Sequence, residues 1–116
     1  MTHPYVRLLE QITRVGGVRG AMLVVADDGL VVAESLMVGI RGAAIAALAA
    51  SLTRRFAMVT KTSTVGELGF LHLQGEDGTL AIVPAPTGVL VVAVGGSDMN
   101  VGLARLEMLR IAEVAR

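Results

Sequence analysis

The residue types that most often carry out chemistry are scarce in this chain, and they are not grouped. There is no cysteine, and the two histidines, His3 and His72, are too few for most histidine-based metal sites. The serines have neither a neighbouring base nor a nucleophile-elbow motif to activate them. Asp27 and Asp28 precede Gly29, a combination typical of a hairpin turn. We therefore predict a non-enzymatic protein with no catalytic residue, metal site or cofactor.

Two glycine-rich segments invite comparison with anion-binding loops. Residues 16–20 lack the Gly-Lys-Ser/Thr sequence of a phosphate-binding loop, and they lead into a predicted strand rather than a helix. Residues 95–98 precede a predicted helix, whose N-terminus can hold an anion, but the carboxylate of Asp98 disfavours one. We expect Ser97 or Asp98 to cap that helix instead.

The composition excludes several other classes of protein. Apolar residues make up 53% of the 116 positions and charged residues 17%, which excludes a disordered chain. Ten basic residues balance ten acidic ones, so neither general nucleic-acid binding nor a polybasic membrane anchor is expected. The uncharged run from Gly42 to Thr53 is shorter than the roughly 20 residues of a membrane span. We predict one cytoplasmic domain over residues 1–116, without membrane insertion, that tends to self-associate.

Hydrophobic periodicity and turn residues predict three helices and five strands. Apolar periodicity and turn signals place helices at 3–15 and 42–61 and near the C-terminus, and strands at 21–26, 30–36, 67–74, 79–83 and 89–94. Thr2 or His3 is expected to cap the first helix. The first and fifth strands are apolar on both faces and belong in the centre, whereas the third is polar, contains Gly69 and suits an edge. This order predicts an α+β, profilin-like fold, with helices on both faces of an antiparallel sheet of strand order 2-1-5-4-3.

The middle helix is apolar on two sides. A stripe of large residues is expected to pack on the sheet as core: Ile45, Leu48, Leu52, Phe56 and Val59. The opposite side carries small residues together with Arg54, and no charge occurs between Gly42 and Thr53. A helix that is apolar all round is buried on two sides. The sheet covers one side, and we predict that the same helix of a second copy, related by a two-fold axis, covers the other. The alternative is an alanine-rich helix that is simply exposed.

The same region is locally basic. Arg41, Arg54, Arg55 and Lys61 fall in a window without an acidic residue, between Glu34 and Glu67. These charges form either a binding surface for an acidic partner or a solvated helix end that the helix dipole favours.

Several segments, taken in order, resemble the Roadblock family, which comprises the dynein light chains of the roadblock type and their bacterial relatives. The resembling segments are Val15-Gly16-Gly17-Val18-Arg19-Gly20-Ala21, Asp28-Gly29-Leu30-Val31, the alanine-rich middle helix, the apolar run 89–94 and Asn100-Val101-Gly102-Leu103-Ala104-Arg105. The resemblance covers nearly the whole chain, although profilin-like and longin-like domains share the architecture. The last helix ends with the sequence, so we expect no function that resides in the longer tails of some bacterial members.

The resemblance implies a homodimeric, non-enzymatic scaffold in which the middle helix and the third strand pair across a two-fold axis and join two sheets into one. The interface residues would be Ala43, Ala47, Ala50, Ala57, Gly69, Leu71 and Leu73. Bacterial members regulate small Ras-like GTPases, so the resemblance implies such a GTPase as partner, and the basic residues Arg41, Arg54, Arg55 and Lys61 are its predicted binding surface. The alternative function is a ligand-sensing module that holds a small molecule between helix and sheet.

Overall fold

The computed structural model describes residues 4–115. Its elements, in chain order, are α1 (Val6–Thr13), β1 (Val18–Val25), β2 (Val31–Leu36), α2 (Gly42–Thr62), β3 (Leu71–Gln74), β4 (Thr79–Pro84), β5 (Val89–Gly95) and α3 (Val101–Val114). The strands form one antiparallel sheet in the order β2-β1-β5-β4-β3, which confirms the predicted fold class and strand order. The predicted start of the first helix at His3, and its cap by Thr2 or His3, lie outside the described residues.

The two central strands explain why helices cover both faces of the sheet. Residues 21–24 of β1 and 90–93 of β5 are buried without alternation, since each strand faces a hydrophobic core on either side. One core lies beneath α1 and α3 and includes Leu9, Ile12 and Met108. The other lies beneath α2, where Met22 and Val92 pack with small residues of the helix.

The helix α2 faces the sheet with small residues, and it is rotated by roughly a quarter turn from the predicted orientation. Ala46, Ala49 and Ala50 are at most 1% exposed, whereas Leu48 is 62% and Val59 54% exposed. Of the stripe of large residues predicted to form the core, Ile45 packs on it, but the prediction is wrong for Leu48 and Val59. Alanine side chains allow the helix axis to approach the sheet closely, and the larger side chains are left on the outside.

Several element boundaries also differ from the prediction. Strand β1 begins at Val18 rather than at residue 21, and α1 ends at Thr13 rather than at residue 15. Strand β3 begins at Leu71 rather than at residue 67, so it is only four residues long. Neither Ser97 nor Asp98 caps α3. The N–H of Met99 donates to the carbonyl of Gly96 at 3.2 Å in a turn, which delays the helix until Asn100, whose side chain accepts from the N–H of Leu103 at 3.1 Å.

Candidate functional site

The outer side of α2 carries large apolar side chains that residues 4–115 leave uncovered. Besides Leu48 and Val59, Met58 is 70% exposed, and Leu52 and Phe56 are half-buried. Exposed apolar residues are ordinary when scattered, but a contiguous stripe on one helix marks an interaction site. Most of these residues are the ones that the sequence pattern predicts to be core.

Strand β3 presents apolar side chains on the same side of the sheet. Leu71 pairs with Ile82 and Leu73 with Leu80, and these β4 residues belong to or pack on the core beneath α2. The outer edge of β3 pairs with no strand within residues 4–115. We call the exposed and half-buried apolar residues on this side the α2–β3 surface, which consists of Leu48, Leu52, Phe56, Met58, Val59, Leu71 and Leu73. An uncovered edge beside an apolar face is a ready template for pairing with another chain.

The alanines predicted to form the dimer interface lie on a different side of α2. Ala43 and Ala47 are exposed and Ala57 is half-buried, but Ala50 is buried against the sheet, so its predicted place in the interface is wrong. The side that carries Ala47 faces the β1–β2 turn, because a β-carbon added at Gly29 would lie only 3.0 Å from the Cα atom of Ala47. Gly69 is exposed next to β3, so its place in the dimer interface stays a prediction.

The four basic residues do not form one surface within a single chain. Arg41 is the residue before the first turn of α2, and Lys61 lies twenty positions further along, about 30 Å at the rise of an α-helix. The guanidinium of Arg54 is engaged, since its Nη1 donates to the carbonyls of Ala26 at 2.9 Å and Asp27 at 3.0 Å. It ties α2 to the β1–β2 turn.

Two basic residues near the C-terminal end of α2 remain at the surface. Lys61 pairs with Glu67 at 3.8 Å, with both side chains exposed, so this ion pair is weak. Arg55 lines an open depression of about 540 Å³ together with Met58, Val59 and two hydroxyl residues that follow. The depression thus combines one cation with the apolar outer side of α2.

The glycine-rich segments join elements of the fold. The N–H of Asn100 donates to the carbonyl of Gly16, and that of Gly96 to the carbonyl of Gly17, both at 2.9 Å. Residues 16–17 therefore hold the connection between β5 and α3. Within residues 4–115, no group of three or more acidic, histidine or cysteine residues is placed to hold a metal ion.

The buried polar side chains are satisfied within the chain. Thr53 donates to the carbonyl of Ala49 and Thr79 to that of Gly96, both at 2.8 Å. Across the described part of the chain, no buried side-chain nitrogen or oxygen lacks a partner. The core beneath α2 contains large apolar side chains of the sheet, among them Met22, Ile82 and Leu90, packed on the alanines of the helix.

By length and composition alone, α2 is apolar enough to cross a membrane. The helix Gly42–Thr62 has 21 residues and a mean hydropathy of 1.3, and the core helix of a soluble protein can be equally long and apolar. Here the alanine side of α2 packs on the sheet, and Arg54 binds the β1–β2 turn. The apolar character of the helix is thus shared between the core and the α2–β3 surface.

Comparison with known sequences gives one family and several relatives. The family model described as "Roadblock/LC7 domain" matches residues 5–94. An uncharacterized protein of Methanocaldococcus jannaschii is 34% identical over 110 residues, which cover 92% of this chain and 89% of the relative. A second uncharacterized protein of the same organism is 32% identical over 107 residues, covering 92% of both chains.

Comparison with solved structures shows the same fold. A Roadblock/LC7 domain from Streptomyces avermitilis superposes with a TM-score of 0.84 at 19% identity, covering 96% of this chain and 93% of the other. A structure described as MglB with tetrameric arrangement gives a TM-score of 0.83 at 25% identity and covers 94% and 82%. The gliding protein MglB of Thermus thermophilus gives 0.80 at 24% identity and covers 93% and 82%.

Proposed function

Because this chain belongs to the Roadblock/LC7 family, we propose that residues 1–116 act as one cytoplasmic Roadblock domain that dimerises with a second copy through the α2–β3 surface. We further propose that the dimer is a non-enzymatic scaffold that binds a small Ras-like GTPase and regulates it. The observation that carries the proposal is the stripe of large apolar side chains on the outer side of α2.

A two-fold axis beside β3 would cover both the unpaired edge of β3 and the apolar outer side of α2. Antiparallel pairing of two β3 strands removes the unpaired edge of each sheet and makes one ten-stranded sheet from two five-stranded ones. The outer sides of the two α2 helices then cover each other above the joined strands. Such an interface is isologous, so each residue of the surface is buried twice.

The dimer is tested by placing a charge in the α2–β3 surface. Leu48→Glu leaves the fold intact, because Leu48 is already 62% exposed within the chain, but it buries an unpaired carboxylate in the dimer. Leaving a charge without a partner in an interface costs about 3–5 kcal/mol. We expect sedimentation velocity at micromolar concentration to show a dimer for the wild type and a folded monomer for the variant.

Leu106→Glu is the matched control for this experiment. Leu106 is 56% exposed on α3, on the opposite face of the sheet, so the same substitution leaves the dimer unchanged. A wild-type monomer, or a Leu48→Glu variant that sediments like the wild type, would contradict the proposed interface.

The GTPase-binding residues of the proposal are Arg41 and Arg55. In an antiparallel pair of α2 helices, Arg41 of one copy approaches the C-terminal end of the other helix, where Arg55 lies. The two-fold axis therefore brings together charges that are far apart within one chain. Arg54 is left out because its guanidinium already binds two carbonyls. Charges of this kind steer an acidic partner and set the salt dependence of binding.

Titration calorimetry with a small Ras-like GTPase of the same genome, in its GDP and GTP-analogue forms, tests this part of the proposal. We expect Arg41→Glu, at an exposed residue that precedes α2 and lies outside the α2–β3 surface, to weaken binding by about tenfold or more and to flatten the dependence of affinity on salt, with the dimer intact. Arg7→Glu, with the same charge change on the exposed side of α1, leaves binding unchanged. Equal affinities for both variants, or no binding by the wild type, would contradict the proposal.

A further inference from the structure

Strand β2 forms the edge of the sheet that lies farthest from β3. The N–H of Met37 donates to the carbonyl of Arg19 at 2.9 Å, and the residues that bond to the neighbouring strand alternate along an antiparallel pair. In the observed register Ser35 therefore bonds to β1, whereas the backbone N–H and C=O groups of Glu34 and Leu36 point outward. No strand within the described part of the chain pairs with these outward groups.

The β2 edge, residues 33–37, is bounded on both sides by local irregularities. The register shifts between Leu23 and Val24, which leaves Val32 as an extra residue in a β-bulge at one end. At the other end the N–H of Ile40 donates to the carbonyl of Met37 at 3.2 Å and closes a turn. The β2 edge therefore suits a short added strand, whose register is limited by the bulge and the turn.

The helix α2 borders the β2 edge with small side chains. Ala43 and Ala47 are exposed, and a β-carbon added at Gly29 would lie 3.0 Å from the Cα atom of Ala47. Arg54, on the same side of the helix, binds the carbonyls of the β1–β2 turn. This side of α2 therefore lies toward the end of the sheet that β2 forms. Its alanines leave room for the side chains of a strand that is added to β2.

Glu34 places an unpaired carboxylate between the β2 edge and α2. It pairs with Met22, which belongs to the core beneath α2, so its side chain lies on the α2 side of the sheet. A β-carbon added at Gly42, the first residue of α2, would lie 2.6 Å from Oε2 of Glu34. Within residues 4–115, this carboxylate has neither a hydrogen-bond donor nor a cation as partner. A lysine or arginine opposite Glu34 on an added strand lies on the same face and complements its charge.

We propose that the β2 edge binds an extended segment of a partner protein by strand addition, with a basic residue opposite Glu34 and an apolar residue opposite Leu36. Backbone hydrogen bonds to these two residues supply affinity, and the side chains on the α2 side supply specificity. A second copy of the chain is disfavoured as the occupant. Antiparallel pairing of residue 34 with residue 34 or 36 of another chain brings two carboxylates together, which is destabilising. Because β2 and β3 lie at opposite ends of the sheet, this binding and the proposed dimer are independent of each other.

The test uses synthetic seven-residue peptides with threonine at the odd positions, valine at the second and sixth, and either lysine or glutamate at the fourth. We expect NMR titration to show the lysine peptide binding at one per chain. The glutamate peptide binds about fivefold more weakly or worse, since opposite charges across a strand pair attract and like charges repel. N-methylation of the lysine residue removes the donor to the Glu34 carbonyl and abolishes binding. N-methylation of the third residue, whose N–H points away from β2, is the matched control.

Substitution of Glu34 tests the charge preference. We expect Glu34→Lys to reverse the preference and Glu34→Gln to remove the difference between the two peptides. Glu10→Lys, the same charge change on the exposed side of α1, leaves both affinities unchanged. Circular dichroism confirms that each variant is folded, and Glu34→Gln, which keeps the size of the side chain, tests the charge even where Glu34→Lys fails to fold.

Amide hydrogen exchange identifies the strand edge that the peptide occupies. We expect the lysine peptide to slow exchange of the N–H groups of Glu34 and Leu36 and to leave that of Ser35 unchanged, because Ser35 already bonds to β1. No binding of the lysine peptide, a preference that Glu34→Lys leaves unaltered, or slower exchange in β3 instead of β2 would overturn the proposal. Exchange at Glu34 and Leu36 that slows with protein concentration alone would also overturn it, since a second copy then covers the edge.

Discussion

The substitution of Gly17 by alanine tests the contact that holds the connection between β5 and α3. Gly17 has a φ of +83°, in the left-handed region, and a β-carbon at this position would lie 2.5 Å from Cα and 2.7 Å from the backbone nitrogen of Met99. The obstacle is backbone, so no side-chain rotation relieves it. Gly16, the preceding residue, has nothing within 4 Å of a β-carbon. Gly16→Ala is therefore a matched control.

The expected cost has two parts. The left-handed conformation costs a non-glycine residue about 1–2 kcal/mol. Overpacking against a fixed neighbour adds about 1–3 kcal/mol. The sum, roughly 2–5 kcal/mol, is a large share of the 5–15 kcal/mol by which a domain is normally stable. For a chain of this size it corresponds to a fall in Tm of roughly 8–20 °C.

Urea denaturation followed by circular dichroism measures both variants, at one protein concentration because dimerisation adds to apparent stability. We expect Gly17→Ala to lower the free energy of unfolding by roughly 2–5 kcal/mol and Gly16→Ala to stay within about 0.5 kcal/mol of the wild type. Equal stabilities for the two variants would refute the close approach of residues 17 and 99.

Three further predictions concern helix ends and the anchoring of α2. Thr64, which follows the C-cap Ser63 of α2, has a φ of 62° at a position where glycine is preferred, so Thr64→Gly should raise the free energy of unfolding by up to about 1 kcal/mol in urea denaturation. Asn100→Ala removes the cap of α3 and should lower it by about 1 kcal/mol, which Asn100→Asp should largely prevent. Arg54→Met removes two charge-assisted hydrogen bonds at an exposed site and should cost about 1–2 kcal/mol, with faster amide hydrogen exchange in the β1–β2 turn; unchanged exchange there would contradict the anchoring role.

The order of elements and strands was predictable because local signals determine it. Asp28 illustrates this: its side chain accepts from the N–H of Leu30 at 3.0 Å, and this turn chemistry joins β1 to β2 regardless of the rest of the fold. The uninterrupted apolar runs of β1 and β5 indicated strands covered on both faces, and hence a central position. The family resemblance was likewise visible in these segments, and the family is confirmed.

The orientation of α2 was decided only by the tertiary structure. A helix that is apolar all round has little periodic contrast, so the pattern indicates two buried sides without showing which side faces the sheet. The short distance between the helix and the sheet determines which side of α2 faces the sheet. The backbone of Gly29 lies against Ala47. The side chains of Ala46, Ala49 and Ala50 fit between the helix and the sheet, where larger side chains do not.

The engagement of Arg54 and the cap of α3 also depend on residues distant in sequence or on turn geometry. The guanidinium of Arg54 donates to the carbonyls of Ala26 and Asp27, which precede it by 28 and 27 residues, so no local sequence pattern predicts these contacts. Ser97 and Asp98 are good caps by residue type, but the turn through Gly96 and Met99 moves the helix start to Asn100. Local chemistry thus determined which elements form, whereas packing at contact distance decided which side chains remain free to meet a partner.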